Sequence, residues 1–241
     1  MKRVLITGAN RGIGLEFVGQ LLARGDRVFA CARRPEQAAE LQQFAAAQPE
    51  RLALIALDVA DPASIDQAHR AVSAQTDALD VLINNAGVFN SFPSSFEGHG
   101  DPPFGRLDAH NLTEVYRVNA AGPVLMAQRF VDLLRKGSAP KIVNLTSYLG
   151  SLSLKHHGGY YAYSASKAAL NMFTRLLAAD LAGQGVTVIS ISPGWVQTGM
   201  GGPRAPTSPQ ESVAGMLRVI DRVGPKESGQ CWQYIGEQMP W

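Results

Sequence analysis

Apolar residues in this chain come in short, nearly unbroken runs, and between those runs the hydrophobic positions recur at helical spacing. The apolar runs predict strands at Arg3–Thr7, Arg27–Ala32, Leu52–Leu57, Val81–Asn84, Lys141–Thr146, Val186–Ile191 and Cys231–Ile235. Amphipathic patterns predict helices at roughly Gly12–Arg24, Pro35–Ala47, Pro62–Gln75, Thr113–Arg135, Ala162–Leu181 and Pro209–Val223. Val/Ile/Leu runs without polar alternation belong to strands covered on both faces. Strand–helix alternation along the whole chain means parallel β-α-β units, hence an α/β doubly wound sheet of seven mostly parallel strands with helices on both faces. No internal repeat, low-complexity tract or long linker interrupts the alternation, so a single domain over residues 1–241 is expected.

Composition narrows the classes. The 241 residues are 46% hydrophobic and 17% charged, enough to bury a large core. A formal net charge of +2 is too small and too dispersed to argue for nucleic acid or a membrane surface. No apolar stretch approaches the roughly 20 residues that span a bilayer. Met1-Lys2-Arg3 leads straight into the first strand with no secretory apolar region, so a cytoplasmic protein is expected. Cys31 and Cys231 lie in strand-like runs and read as buried, reduced thiols. With no C-x-x-C pair, and His156–His157 lacking partners, no metal site is expected.

Candidate chemistry concentrates between Asn144 and Lys167. Tyr163 and Lys167 are four residues apart, which on a helix places them on one face with a rise of roughly 6 Å between them. An ammonium that close to a phenol should favour the phenolate and lower the Tyr163 pKa. A second hydroxyl, Ser147, could hold a carbonyl oxygen, and the set would suit reduction of a ketone or aldehyde. Spacing alone describes a solvated surface pair equally well.

The first strand–helix junction, Thr7–Gly14, carries Gly8, Gly12 and Gly14. Glycines there let the backbone approach a pyrophosphate at a helix N-terminus, though an ordinary turn would also use them. About twenty residues on, the second strand ends in Arg33-Arg34 with no acid, and Arg11 lies inside the glycine turn. Guanidiniums at these positions suit a ribose 2′-phosphate and favour NADP(H) over NAD(H); singly, each would be an ordinary surface residue. Asp58 ends the third strand, placed either for an adenine amino group or as a turn aspartate. Asn84-Asn85-Ala86-Gly87 ends the fourth, small enough for a cofactor to lie against it, and equally a turn sequence.

The sequence TGANRGIG at 7–14, NNAG at 84–87, Asn119, Ser147, YSASK at 163–167 and PGWVQTGM at 193–200 fall in the order and spacing of short-chain dehydrogenases/reductases. The chain resembles that family over essentially its whole length, and its opening GANRGIGLEFV at 8–18 and ending QYIGEQMPW at 233–241 resemble the branch of sniffer-type carbonyl reductases and C-factor-like proteins. The resemblance implies a Rossmann-like fold. It makes Tyr163 the catalytic acid/base and has Lys167 lower its pKa and hold the nicotinamide ribose. Ser147 would bind the substrate carbonyl, and Asn119 would hold a water in the proton relay. Gly8, Arg11, Gly12, Ile13 and Gly14 would hold the pyrophosphate, Arg33 and Arg34 the 2′-phosphate, Asp58 the adenine, and Asn85 with Ala86 the adenosine ribose. Asn10, Val59 and Gly87 complete that surface, and Pro193, Gly194, Val196 and Thr198 would close over the nicotinamide.

Two irregular stretches remain. Val88–Asn111 carries Phe89, Phe92, Phe96 and Phe104, which either line the substrate site or pack among themselves. The Pro- and Gly-rich segment from Trp195 to Pro209 reads as a lid that orders on cofactor binding. Tyr160 and Tyr161 have no Lys four residues on and read as pocket wall or packing. In the family the helices at 113–135 and 162–181 commonly form a dimer interface, so a homo-oligomer acting on a small carbonyl or alcohol is expected. The expected activity is NADPH-dependent reduction of ketones or aldehydes. A narrow-substrate dehydrogenase and a cofactor-bound signalling protein with little turnover remain alternatives.

Overall fold

The structure, a computed structural model, describes residues 1–90 and 102–241. Seven strands form one sheet in the order β3-β2-β1-β4-β5-β6-β7, and every pairing is parallel. They are β1 (Arg3–Thr7), β2 (Arg27–Ala32), β3 (Leu52–Ala56), β4 (Val81–Asn84), β5 (Lys141–Leu145), β6 (Thr187–Ser192) and β7 (Cys231–Gln233). The helices are α1 (Gly12–Ala23), α2 (Ala39–Ala47), α3 (Pro62–Ser73), α4 (Ala109–Tyr116), α5 (Gly122–Leu134), α6 (Tyr161–Leu181) and α7 (Pro209–Arg222).

Alternation along each strand sorts its side chains between two cores. Val4, Ile6 and Val28 point to the layer where Phe17 and Leu21 of α1, Leu41 of α2, and Met216 and Ile220 of α7 pack. Leu5, Phe29 and Leu82 point the other way, onto Ile65 of α3, Met126 and Phe130 of α5, and Leu181 of α6. Both faces being covered is what makes the strands read as continuous apolar runs.

The expected elements are all present, with four differences of consequence. The helix expected over Pro35–Ala47 splits into a 3-10 turn at Pro35–Gln37 and α2, because Ala38 turns out of helical geometry at ψ 85°. The helix expected at Thr113 begins at Ala109, where the Asp108 carboxylate caps it by accepting from the Asn111 N–H at 2.8 Å. It also does not run through: a π-helical turn at Arg117–Ala121 separates α4 from α5. Pro123 explains the interruption, since it has no N–H to offer the Asn119 carbonyl. Finally, β7 ends at Gln233 rather than Ile235, and the chain reverses through Gly236 at φ 94°.

The order of strands reverses between β1 and β4. In such sheets the crevice outside the C-terminal strand ends, at that reversal, is where ligands bind. The glycine turn, the 84–87 turn, Ser147 and the Pro193–Thr198 segment all follow strands whose C-terminal ends open there.

Candidate active site

The glycine turn needs its three glycines for two distinct reasons. Gly8 and Gly12 adopt φ 67° and 56°, the left-handed region that L side chains rarely enter. At Gly14 the constraint is space: a Cβ would lie 2.2 Å from the Gly8 carbonyl oxygen. The turn is stapled to β4 from below. Asn85 donates from its amide to the Thr7 and Gly8 carbonyls at 2.8 and 3.0 Å, and the Thr7 hydroxyl accepts from the Asn85 and Ala86 N–H groups. The Asn85 side chain therefore serves first to shape the turn. Above it, α1 starts with no side-chain cap, leaving N–H groups at its positive end for an anion.

Arg11, Arg33 and Arg34 are exposed and, among the described residues, make no side-chain hydrogen bond or ion pair. The uncapped helix start and the glycine cradle together fit a pyrophosphate. Asp58 uses one carboxylate oxygen as a turn residue, accepting from Ala60 N–H at 2.9 Å, while Val59 is buried against Gly122. The helix cap is Asp61, which accepts from Ala63 N–H.

Tyr163 and Lys167 share α6 as expected, and Ser147 meets them from the end of β5, hydrogen-bonded to Tyr163. Lys167 is buried, and its Nζ donates to the Leu145 carbonyl at 2.8 Å. The fully buried Asn119 is locked in place: Oδ1 accepts from Val88 N–H, and Nδ2 donates to the Val88 carbonyl and the Ser166 hydroxyl. Gly87 leaves room here, since a Cβ would sit 3.3 Å from Asn119 Oδ1 and 3.7 Å from Lys167 Nζ.

The expected electrostatics need correction. Burial pushes the Tyr163 phenol up to about 12, against the lowering effect of the Ser147 hydrogen bond. Burial also pushes Lys167 down to about 8. The reason is geometric. The Lys167 ammonium is engaged with Leu145 and stands 5.7 Å from the centroid of the Tyr163 ring, over its face, while Phe89 covers the ring at 4.8 Å. Desolvation outweighs the charge pair.

The segment after β6 is bonded to itself: Gln197 N–H donates to the Thr207 carbonyl, Thr207 N–H to the Trp195 carbonyl, and the Trp195 indole to the Gly201 carbonyl at 2.7 Å. Pro193 is tied to α7 by the Ser212 hydroxyl at 2.7 Å. Gly194 takes φ 80° against Tyr234, and Val196 is buried. Thr198 reaches the glycine turn, its methyl 3.4 Å from where a Gly12 Cβ would be. Asn10 and Ile13 lie in the glycine turn itself. Phe104 is 82% exposed and 6.3 Å from Tyr161, so of the four phenylalanines only Phe89 is seen against the catalytic candidates; Phe92 and Phe96 lie outside the described residues.

A polar row behind these residues escaped sequence reasoning. Asn84, Asn144 and Ser190 stand in register across β4, β5 and β6. Asn84 donates to Asn144, Asn144 to the Thr174 hydroxyl, and Thr174 pairs with Ser190, at 2.8 to 2.9 Å. Asn171, one turn after Lys167, accepts from Thr146 and donates to the Gly150 carbonyl, bracketing the loop that carries Ser147. The signal was available: Asn144 and Ser190 interrupt strands buried on both faces, where a polar group needs a partner. Among the described residues no His/Cys/Asp/Glu cluster could hold a metal, and no helix is long and apolar enough to cross a membrane.

The family model for short chain dehydrogenases matches residues 2–208. The chain is 40% identical to the C-signal protein of Myxococcus xanthus over 171 residues, 71% of this chain and 98% of that one. It superposes with a TM-score of 0.91 on the NADPH-bound carbonyl reductase from chicken fatty liver, 35% identical over 100% of this chain and 99% of that chain. The carbonyl reductase Sniffer of D. melanogaster gives the same TM-score at 31% identity, with both chains covered completely. With the glycine turn at the strand reversal and Ser147, Tyr163 and Lys167 converging beside it, these matches establish that the chain belongs to the short chain dehydrogenase family and is an oxidoreductase of the carbonyl-reductase type.

Proposed function

We propose that the protein is an NADPH-dependent carbonyl reductase in which Tyr163 gives its proton to the oxygen of a ketone or aldehyde. The observation that carries the reading is the hydrogen bond between Ser147 and Tyr163 with Lys167 one turn along the same helix, beside a phosphate-shaped glycine turn. NADPH, when bound, supplies the hydride to the carbonyl carbon. Gly8, Asn10, Arg11, Gly12, Ile13 and Gly14 would hold its pyrophosphate, Arg33 and Arg34 its 2′-phosphate, and Asp58 and Val59 its adenine. Asn85, Ala86 and Gly87 would bound the ribose side, and Pro193, Gly194, Val196 and Thr198 the nicotinamide side.

The chain's own groups account for the proton. With its pKa raised to about 12, Tyr163 is protonated at neutral pH, the form that reduction needs. Ser147 orients the carbonyl oxygen toward it. Lys167, with a pKa of about 8, is cationic at neutral pH and stabilises the phenolate as it forms. The Asn119 carbonyl, to which Pro123 offers no N–H, would hold a water that returns a proton toward Lys167.

Tyr163→Phe should still bind NADPH and lose reduction by about a hundredfold or more; near-normal turnover would sink the assignment. Arg33→Asp should raise KM for NADPH while leaving that for NADH nearly unchanged, and equal effects on both would remove the argument for NADPH preference. We further propose that residues 1–241 act as one nucleotide-binding unit and that copies associate through the helices at about 113–135 (α4 and α5) and 162–181 (α6). The apolar stripe Ala165, Ala169, Met172, Leu176, Ala179 on α6 supports the association, with Met172 60% and Leu176 52% exposed. Two free buried thiols fit a reducing, cytoplasmic setting. A second reading, a cofactor-bound signalling protein, is favoured by the 40% identity to C-signal. NADPH binding without reduction across a carbonyl panel would select it.

A further inference from the structure

Three aromatic rings stand in a row at the mouth of the site. Phe89 lies 4.8 Å from the Tyr163 ring, tilted on it, and 5.4 Å from Tyr160, edge-on. The Lys155 ammonium sits 5.3 Å over the Tyr160 ring at the far end of the row, and its one hydrogen bond among the described residues is a 3.4 Å contact to the Gly158 carbonyl. Among the described residues Lys155 has no carboxylate partner, whereas Lys2, Arg3, Arg24, Arg117 and Arg129 each meet one. The sequence has no acidic residue between Asp132 and Asp180, and Lys155 is followed by the exposed His156 and His157. A cation at the end of an aromatic wall, with no counter-ion among the described residues, is a place for an external anion.

The backbone supports a dedicated role for Tyr160. Its φ of 57° follows Gly159 at 86°, so a bulky side chain is held in the left-handed region directly before α6. Such a conformation is unfavourable for a large L side chain and persists where the surroundings impose it, often at ligand-binding positions. Here it puts the Tyr160 ring between Phe89 and Lys155.

We propose that Phe89, Tyr160 and Lys155 form a specificity arm selecting carbonyl substrates with a flat apolar body and an anionic group at the end remote from the carbonyl. The inference rests on the carbonyl-reductase reading and supplies its substrate class. The carbonyl lies at Ser147 and Tyr163, the body runs along the Phe89 and Tyr160 rings, and the anion meets Lys155. Steps of about 5 Å between rings suit a body of two fused rings.

The test compares 6-acetyl-2-naphthoate with its neutral methyl ester, which share a skeleton and differ in the distal charge. The acid should have the higher kcat/KM, with the acid-to-ester ratio falling about fivefold in Lys155→Gln, standing in Lys155→Arg, and falling with added salt. Tyr160→Gly removes the ring and the strain together; KM for both compounds should rise while thermal stability is not lowered. An acid-to-ester ratio at or below one, or a ratio unchanged in Lys155→Gln, would overturn the proposal. Calorimetric binding of both compounds to the NADP⁺ complex is measured alongside. If neither is reduced, the ratio of dissociation constants still decides whether Lys155 selects the anion, and the carbonyl-reductase reading is decided separately by reduction across a carbonyl panel.

Discussion

Tyr163 and Lys167 sit one helical turn apart, and burial drives both toward their neutral forms, the phenol up to about 12 and the amine down to about 8. Two consequences follow at the level of the residue. An unfolded lysine titrates near 10.4, so between about pH 8 and about 10.4 the unfolded chain binds the proton that the native site gives up. Stability from this group is therefore full above that window and lost as pH falls through 8, by about 3 kcal/mol in all. Denaturant midpoints between pH 7.5 and 10 should rise more steeply for the wild type than for Lys167→Met, and parallel curves would contradict the burial argument. Reduction should also slow as pH rises past about 8, when the charge that stabilises the phenolate is lost. The positions of both groups were legible from their spacing. The direction of the Tyr163 shift was not, because it depends on Phe89 and on the Leu145 carbonyl, neither of which spacing brings near.

Among the elements, the break between α4 and α5 is the one with most consequence for the site. Pro123 cannot offer the Asn119 carbonyl an i+4 N–H, and in the π turn there the Asn119 amide meets Val88 and Ser166. Pro123→Ala restores the missing N–H. It should lower kcat by about tenfold without lowering thermal stability, since the helix gains a bond while the site loses its geometry. An unchanged kcat would show that the turn has other causes. The proline was in plain view in the sequence, but its effect was missed because the helical pattern continues across it. A second junction gathers the N-terminal strand ends: Asp80 accepts from the Arg3 guanidinium at 2.9 Å and from the Arg3 and Ser138 N–H groups at 2.7 Å. Burial opposes its charge, yet these donors hold the carboxyl below the ordinary value. Asp80→Ala should cost about 3 kcal/mol by leaving Arg3 and two N–H groups unpaired in a largely buried site, and a change below about 1 kcal/mol in chemical denaturation would show the cluster to be weakly coupled.

At the scale of the molecule, the strand order and the two-sided cover follow from runs the sequence displays openly, which is why the fold was readable from periodicity. The glycine turn was readable because Gly8, Gly12 and Gly14 each meet one backbone or steric demand. It was unreadable where packing of non-periodic segments decides, as with Tyr160 against Phe89 and the self-bonded turn from Trp195 to Thr207. The exposed apolar stripe of α6 should mark the contact between copies. Sedimentation should give a mass above that of one chain, and the double variant Met172→Lys, Leu176→Lys should return it to the monomer; a monomeric wild type would assign the stripe no such role.

The most direct test of the central claim is NADPH oxidation with a panel of ketones and aldehydes, by the wild type and by Tyr163→Phe with NADPH binding measured on both. The account predicts turnover in the wild type, matched NADPH affinity in the two proteins, and a loss of turnover of about a hundredfold or more in the variant. Equal turnover in both proteins would show that the proton does not come from Tyr163.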